Sequence, residues 1–204
     1  MLYKLPLLVF TFLFASPLMA QKYQTNNAKV VLDILVELKK VEPGNDKRPN
    51  KIRLGTRNDE GTSEFDAKTG QIQFSIPINA FKFEKKSFQK SFQASPILKA
   101  KQHPFVTFKG RIVNYKKRLL RRKNKTSVIN IEGGLTIRGV TKPIKVTGNL
   151  SRLSKAQVAG KASFTIPDAS LFASNGEEQK GLTEEIKISV DAKVEVTYEK
   201  KANK

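Results

Sequence analysis

The amino-acid sequence predicts an all-β fold, an antiparallel barrel of about eight strands with a short amphipathic helix at one end. Three observations lead there. Apolar residues recur at every second position through much of the chain, turn-forming residues separate these runs, and helical spacing is confined to one stretch.

The first long run spans Val30 to Val41 and stops at Pro43-Gly44-Asn45-Asp46, a cluster with strong turn chemistry. Thr69-Gly70 precedes the next stripe, Ile72, Phe74, Ile76 and Ile78. The period then changes: Phe81, Phe88 and Phe92 recur at helical spacing among Lys82, Lys85, Lys86 and Lys90, which predicts a helix from Lys85 to Gln93 on one end of the barrel. Alternation returns at Val106, Phe108 and Ile112, and again at Ile129, Ile131, Leu135 and Ile137. A break at Gly139 to Lys142 separates these from strands expected at Pro143 to Leu150 and Val158 to Ile166. The clearest stripe is the last, where Ile186, Ile188, Val190, Ala192, Val194, Val196 and Tyr198 alternate with polar residues; it reads as a half-buried antiparallel strand. Two stretches lie outside the pattern. Lys116 to Lys125, KKRLLRRKNK, reads as an exposed hairpin loop, and Asp168 to Glu184, with Asn175-Gly176 and Gly181, as a long mobile loop. Consecutive strands with short connections favour a meander, and closing it removes its open edges.

Residues 1–20 carry one charge at Lys4, an apolar run through Phe14 and a small residue at Ala20, the pattern of a secretory signal peptide cleaved before Gln21. Residues 21–204 then form a single barrel domain, placed in the periplasm or secreted. Cysteine is absent, which excludes disulfides, thiolate metal sites and thiol nucleophiles. The formal charge is +20, a field that attracts anionic partners and also serves solubility; it bears on association and not on fold.

Nothing assembles a catalytic site. His103 is the only histidine and stands before Pro104, where it is pushed to extended geometry at the start of a strand. No nucleophile elbow, phosphate-binding loop or dinucleotide fingerprint is present, and the acidic residues read as solvated surface charges. The chain is therefore expected to bind rather than catalyse, without cofactor or metal. Its thirteen phenylalanines suit either an ordinary core or the lining of a cavity for a long apolar ligand.

Three motifs occur in order: FDAKTGQIQFSIPINAFKFEKKSFQKSF, then HPFVTFKGRI, then INIEGGLTIRGVTKPIKVTGNL. Together they resemble the YceI-like family of bacterial exported proteins, best through Gly134 to Pro143, with His103-Pro104 and Phe108-Lys109-Gly110 in support. The resemblance implies a lipocalin-like barrel whose interior accommodates a polyisoprenoid or similar amphiphile. Two features depart from the family pattern: Asn27-Ala28-Lys29-Val30 replaces a His-Ser pair in the first long strand, and the basic segment Lys116 to Lys125 is additional. With an isoprenoid-type lipid as ligand, Phe74, Ile76, Phe108, Ile131 and Leu135 are expected to face the interior, and Phe81, Phe83 and Phe88 to border its mouth. Arg118, Arg121, Arg122 and Lys123 are expected to meet an anionic membrane surface, with no specific nucleic-acid partner.

Overall fold

A computed structural model of the chain describes residues 21–38, 51–93, 98–113, 115–172 and 186–201. The long strands are β1 (Lys22–Leu38), β2 (Lys51–Asp66), β3 (Gln71–Pro77), β5 (Phe105–Ile112), β6 (Thr126–Ile137), β7 (Val140–Arg152), β8 (Gln157–Ile166) and β9 (Ile186–Lys200). They pair antiparallel in the order β1-β9-β8-β7-β6-β5-β3-β2, and β2 returns to β1 through a ladder from Lys22↔Asp66 to Glu37↔Lys51. The eight strands thus close into a barrel, as the alternation predicts. A two-residue strand, β4 (Lys82–Phe83), adds to β2 at Thr56 and Arg57. The helix α1 (Lys86–Gln93) forms where helical spacing places it.

Strand bounds differ from the sequence reading at three strands. β1 begins at Lys22 rather than Val30, β7 begins at Val140 rather than Pro143, and β2 has no counterpart among the expected strands. For β2 the reason is chemical. Buried positions of β2 hold Thr56, Asn58 and Ser63, so the strand shows no apolar stripe. β3 pairs with β2 only from Thr62 to Phe65, so Asn58 lies outside that ladder and reaches the end of β3 through its side chain, while Thr56 pairs with β4 and Ser63 sits within the β3 ladder. Asn58 donates through Nδ2 to the Pro77 carbonyl at 2.8 Å and accepts from the Glu60 amide at 2.8 Å, while Thr56 donates to the Lys82 carbonyl at 2.9 Å. Fully bonded polar groups are tolerated in the interior.

The β6–β7 break is shorter than expected, a two-residue hairpin of Arg138 (φ 56°) and Gly139 (φ 77°). Positive φ at both central residues matches the twist of the flanking strands. Thr136 and Thr141 hydrogen-bond across the hairpin at 2.7 Å.

The interior holds two apolar clusters. One, at the end where β1 begins and β9 finishes, gathers Tyr23, Phe65, Ile112, Leu150, Val158 and Tyr198. The other gathers Val30, Ile34, Phe81 and Phe83 beneath α1, with Phe88 and Phe92 half-buried against them. The basic segment is not the exposed hairpin loop that its charge suggests. A 3₁₀ turn at Lys117–Leu120 drives Leu120 into the first cluster, with Leu119 beside it, and turns only the charges outward. In the region read as a mobile loop, Ala169–Phe172 forms a 3₁₀ turn with Phe172 buried, and residues 173–185 lie outside the described residues. So do residues 1–20, read as a signal peptide, and the Pro43–Asp46 turn.

Candidate functional site: an apolar cavity inside the barrel

The inward faces of β3, β5, β6, β7, β8 and β9 meet around a cavity of about 100 Å³. Phe74, Ile76, Phe108, Ile131 and Leu135 all line it, so three strands read separately from the sequence converge on one space. Phe81, Phe83 and Phe88 do not. Phe81 and Phe83 are buried in the cluster under α1, where Phe92 meets the Phe83 ring at 4.9 Å and the Phe81 ring at 5.6 Å. Phe88 packs on the same cluster with Lys85 Nζ 5.7 Å from its ring centre. These rings cap the end of the barrel next to the cavity, which Ile76 and Val194 join to the cluster.

Several lining residues lie outside the set named from the sequence, among them Phe65, Ile144, Phe164 and Tyr198. The signal for them was present. Tyr198 shares the parity of the C-terminal stripe and Phe164 that of β8, but parity assigns a side and not a depth.

The motifs of the family resemblance have structural work in common. Gly110 and Gly133 face each other across β5 and β6, and the Phe108 ring lies over both: a Cβ at Gly110 would sit 2.5 Å from Phe108 Cζ, and one at Gly133 2.6 Å. A Cβ at Gly110 would also meet the Glu132 carbonyl oxygen and one at Gly133 the Lys109 carbonyl oxygen, so glycine is what lets the ring and the paired strands approach this closely. His103 lies against the hairpin, where a Cβ on Gly139 would come within 3.1 Å of its Cε1. The neighbouring Pro104 carbonyl accepts from the Ile78 amide at 2.9 Å, tying the start of β5 to the end of β3.

Polar groups meet the cavity at its floor. Ser63 has one hydroxyl proton and donates it to the Gln73 carbonyl at 2.7 Å, so Tyr198 is the donor in the 2.9 Å bond between their hydroxyls. Burial pushes the Tyr198 hydroxyl up to about 12. A phenolate there would need Ser63 to turn its proton away from Gln73. Tyr115, which donates to the Ala67 carbonyl at 2.9 Å, is likewise raised to about 12, first by burial and then by Tyr23 and Asp66.

Arg118, Arg121, Arg122 and Lys123 are all exposed on the outer side of the segment that closes the floor. They are remote from the lining of the cavity and take no part in it.

A closed eight-stranded antiparallel barrel around an apolar interior defines a lipocalin-like protein. The family model for the YceI-like domain matches residues 50–199, and the chain belongs to that family. Solved structures share the fold. A polyisoprenoid binding domain from Saccharophagus degradans, implicated in plant cell wall breakdown, is 14% identical with a TM-score of 0.65, over 90% of this chain and 100% of that one. BcnA of Burkholderia cenocepacia is 17% identical with a TM-score of 0.54, over 81% of this chain and 95% of its own. A mutant Campylobacter jejuni YCEI protein with a monobromobimane guest is 18% identical with a TM-score of 0.53, over 81% and 91%. No curated protein matches the chain by sequence.

Proposed function

We propose that the chain is an exported carrier, periplasmic or secreted, that holds the tail of an isoprenoid-type lipid inside its barrel. The observation that carries this reading is the apolar cavity itself. Protein interiors are ordinarily close-packed, yet here Gly160 and Ala162 put little or no side chain on the inner wall of β8 and leave space between facing strands. The Saccharophagus degradans relative, described as a polyisoprenoid binding domain, supports the choice of ligand. The resting volume, about 100 Å³, is below that of an engineered cavity of about 150 Å³ that takes one benzene. Only a short stretch of tail fits without rearrangement, so a longer one requires Phe74, Phe108 and Phe164 to turn toward the wall. Phe81, Phe83 and Phe88 border the end by which the tail enters, since α1 has no buried residue and is held there largely by ring contacts. Binding rather than turnover is the reading, because the one histidine, His103, lies outside the cavity lining, beside the Gly139 turn.

Mass spectrometry of protein purified without detergent tests both parts. The organic extract is expected to contain a prenyl lipid, and the intact mass to begin at Gln21. Ala162→Leu, which fills the cavity, is expected to abolish lipid retention while leaving stability equal or higher. If Ala162→Leu instead loses roughly 1–3 kcal/mol, as overpacking does, and neither protein yields an apolar ligand, the barrel is solid and the carrier reading fails. An intact mass retaining residues 1–20 would remove the claim of export.

A further inference from the structure

We propose that the cavity-floor end of the barrel is a docking face for an anionic lipid bilayer, built on the segment KKRLLRRKNK from Lys116 to Lys125. Seven of its ten residues are basic and none is acidic. The segment is not a loose charged loop. Leu120 is buried in the core cluster, the Arg121 amide donates to the Arg118 carbonyl at 3.1 Å, and the far end is clipped to β7 through a bridge between Lys123 and Arg152 and a 2.8 Å bond from the Asn124 amide to the Arg152 carbonyl. The charges are thus held in place on one rigid strap across the end of the barrel, and little further ordering is needed when they meet a surface. Among the described residues, Arg118, Arg121, Arg122 and Lys123 are exposed and form no ion pair with a carboxylate.

The neighbouring turns extend the same sign. Lys68 in the β2–β3 turn and Lys155 in the β7–β8 turn are exposed at this end. The carboxylates nearby are engaged: Glu64 with Lys201 at 3.8 Å, Asp66 with the Lys68 amide at 2.7 Å, and Glu199 with Gln157 Nε2 at 2.7 Å. A plane of headgroups suits this face better than a nucleic acid does. Single-stranded nucleic acid binding relies on exposed aromatic rings for stacking, whereas at this end Tyr23, Phe65 and Tyr198 are turned into the core and the half-buried Tyr115 ring packs edge-on against Phe65 with its hydroxyl bonded to the Ala67 carbonyl. Docking this way stands the barrel on end, with α1 directed away from the bilayer, and it does not depend on whether the cavity is loaded.

The test is co-sedimentation of the purified protein with vesicles of phosphatidylcholine, alone or with about 30% phosphatidylglycerol. Each basic residue near an anionic surface contributes appreciable attraction, so R118Q/R121Q/R122Q/K123Q is expected to weaken binding at low salt by about tenfold or more, with a circular dichroism spectrum unchanged from the parent. The comparison is K82Q/K86Q/K90Q/K101Q, which removes the same number of exposed charges around α1 and is expected to change binding by less than about twofold. Equal losses in the two variants would show that the overall field and not this face binds the lipid. Unchanged binding in the first variant, wild-type binding that does not require phosphatidylglycerol, or release of the wild type from vesicles by stoichiometric single-stranded RNA would each overturn the proposal.

Discussion

Tyr198 and Ser63 show how much a single buried hydrogen bond can be made to report. Tyr198 is 2% exposed and donates to a Ser63 oxygen whose own proton goes to Gln73. Removing the acceptor and removing the donor therefore have unequal costs. Ser63→Ala leaves a buried phenol unsatisfied and is expected to cost about 1–3 kcal/mol, whereas Tyr198→Phe leaves Ser63 bonded to Gln73 and costs less. The same site has a pH signature. The Tyr198 hydroxyl lies at about 12 in the fold, against 10.0 for a free tyrosine, so between these values the unfolded chain has lost a proton that the folded chain keeps. Stability contributed by Tyr198 is complete below pH 10 and falls as pH rises toward 12, by up to about 3 kcal/mol. Denaturant unfolding at neutral pH and near pH 11 should show a smaller decline for Tyr198→Phe than for the parent; equal declines would contradict the assignment.

Among the elements, the basic strap joins two roles in ten residues. Its leucines are part of the core and its charges part of the surface, so the two sets respond differently to substitution. Leu120→Ala removes a side chain that is 9% exposed and is expected to destabilise by about 2–5 kcal/mol. Arg121→Gln or Arg122→Gln should stay within about 0.5 kcal/mol, as exposed positions do. Thermal melts of the three variants check this, and a melt of Leu120→Ala indistinguishable from the parent would mean that the strap is not seated. The helix α1 shows the converse. Its position was legible because Phe88 and Phe92 keep helical spacing, but its partners Phe81 and Phe83 come from outside the helix and gave no sign of burial beneath it.

For the molecule as a whole, closure is the property on which the cavity depends. The family match covers residues 50–199, yet the strand that completes the barrel, β1, spans Lys22–Leu38 and pairs with β2 on one side and β9 on the other. Without it two long strands would be left with unpaired backbone edges, and such edges recruit other chains. A protein cut to residues 50–199 is therefore expected to aggregate or to lose cooperative unfolding, where residues 21–204 remain monodisperse, as size-exclusion chromatography and thermal melting will show. A stable monomer from the shorter chain would show that the matched span closes by itself.

The sequence by itself determined the fold class, the inward parity of most strands, the helix, and the five cavity residues Phe74, Ile76, Phe108, Ile131 and Leu135. Period-two alternation records which side of a strand meets the interior, and a buried apolar face is enough to reveal it. β2 escaped because alternation is silent when the inward groups are Thr56, Asn58 and Ser63, whose burial is made acceptable by bonds to Pro77, Lys82 and Gln73 that exist only once distant segments meet. Tertiary structure alone decided that the phenylalanines divide between a cavity wall and a cap, and that the most highly charged segment buries a leucine. A cavity is the difference between the space that facing strands enclose and the volume of the side chains they contribute, so no single strand can carry the information that it is there.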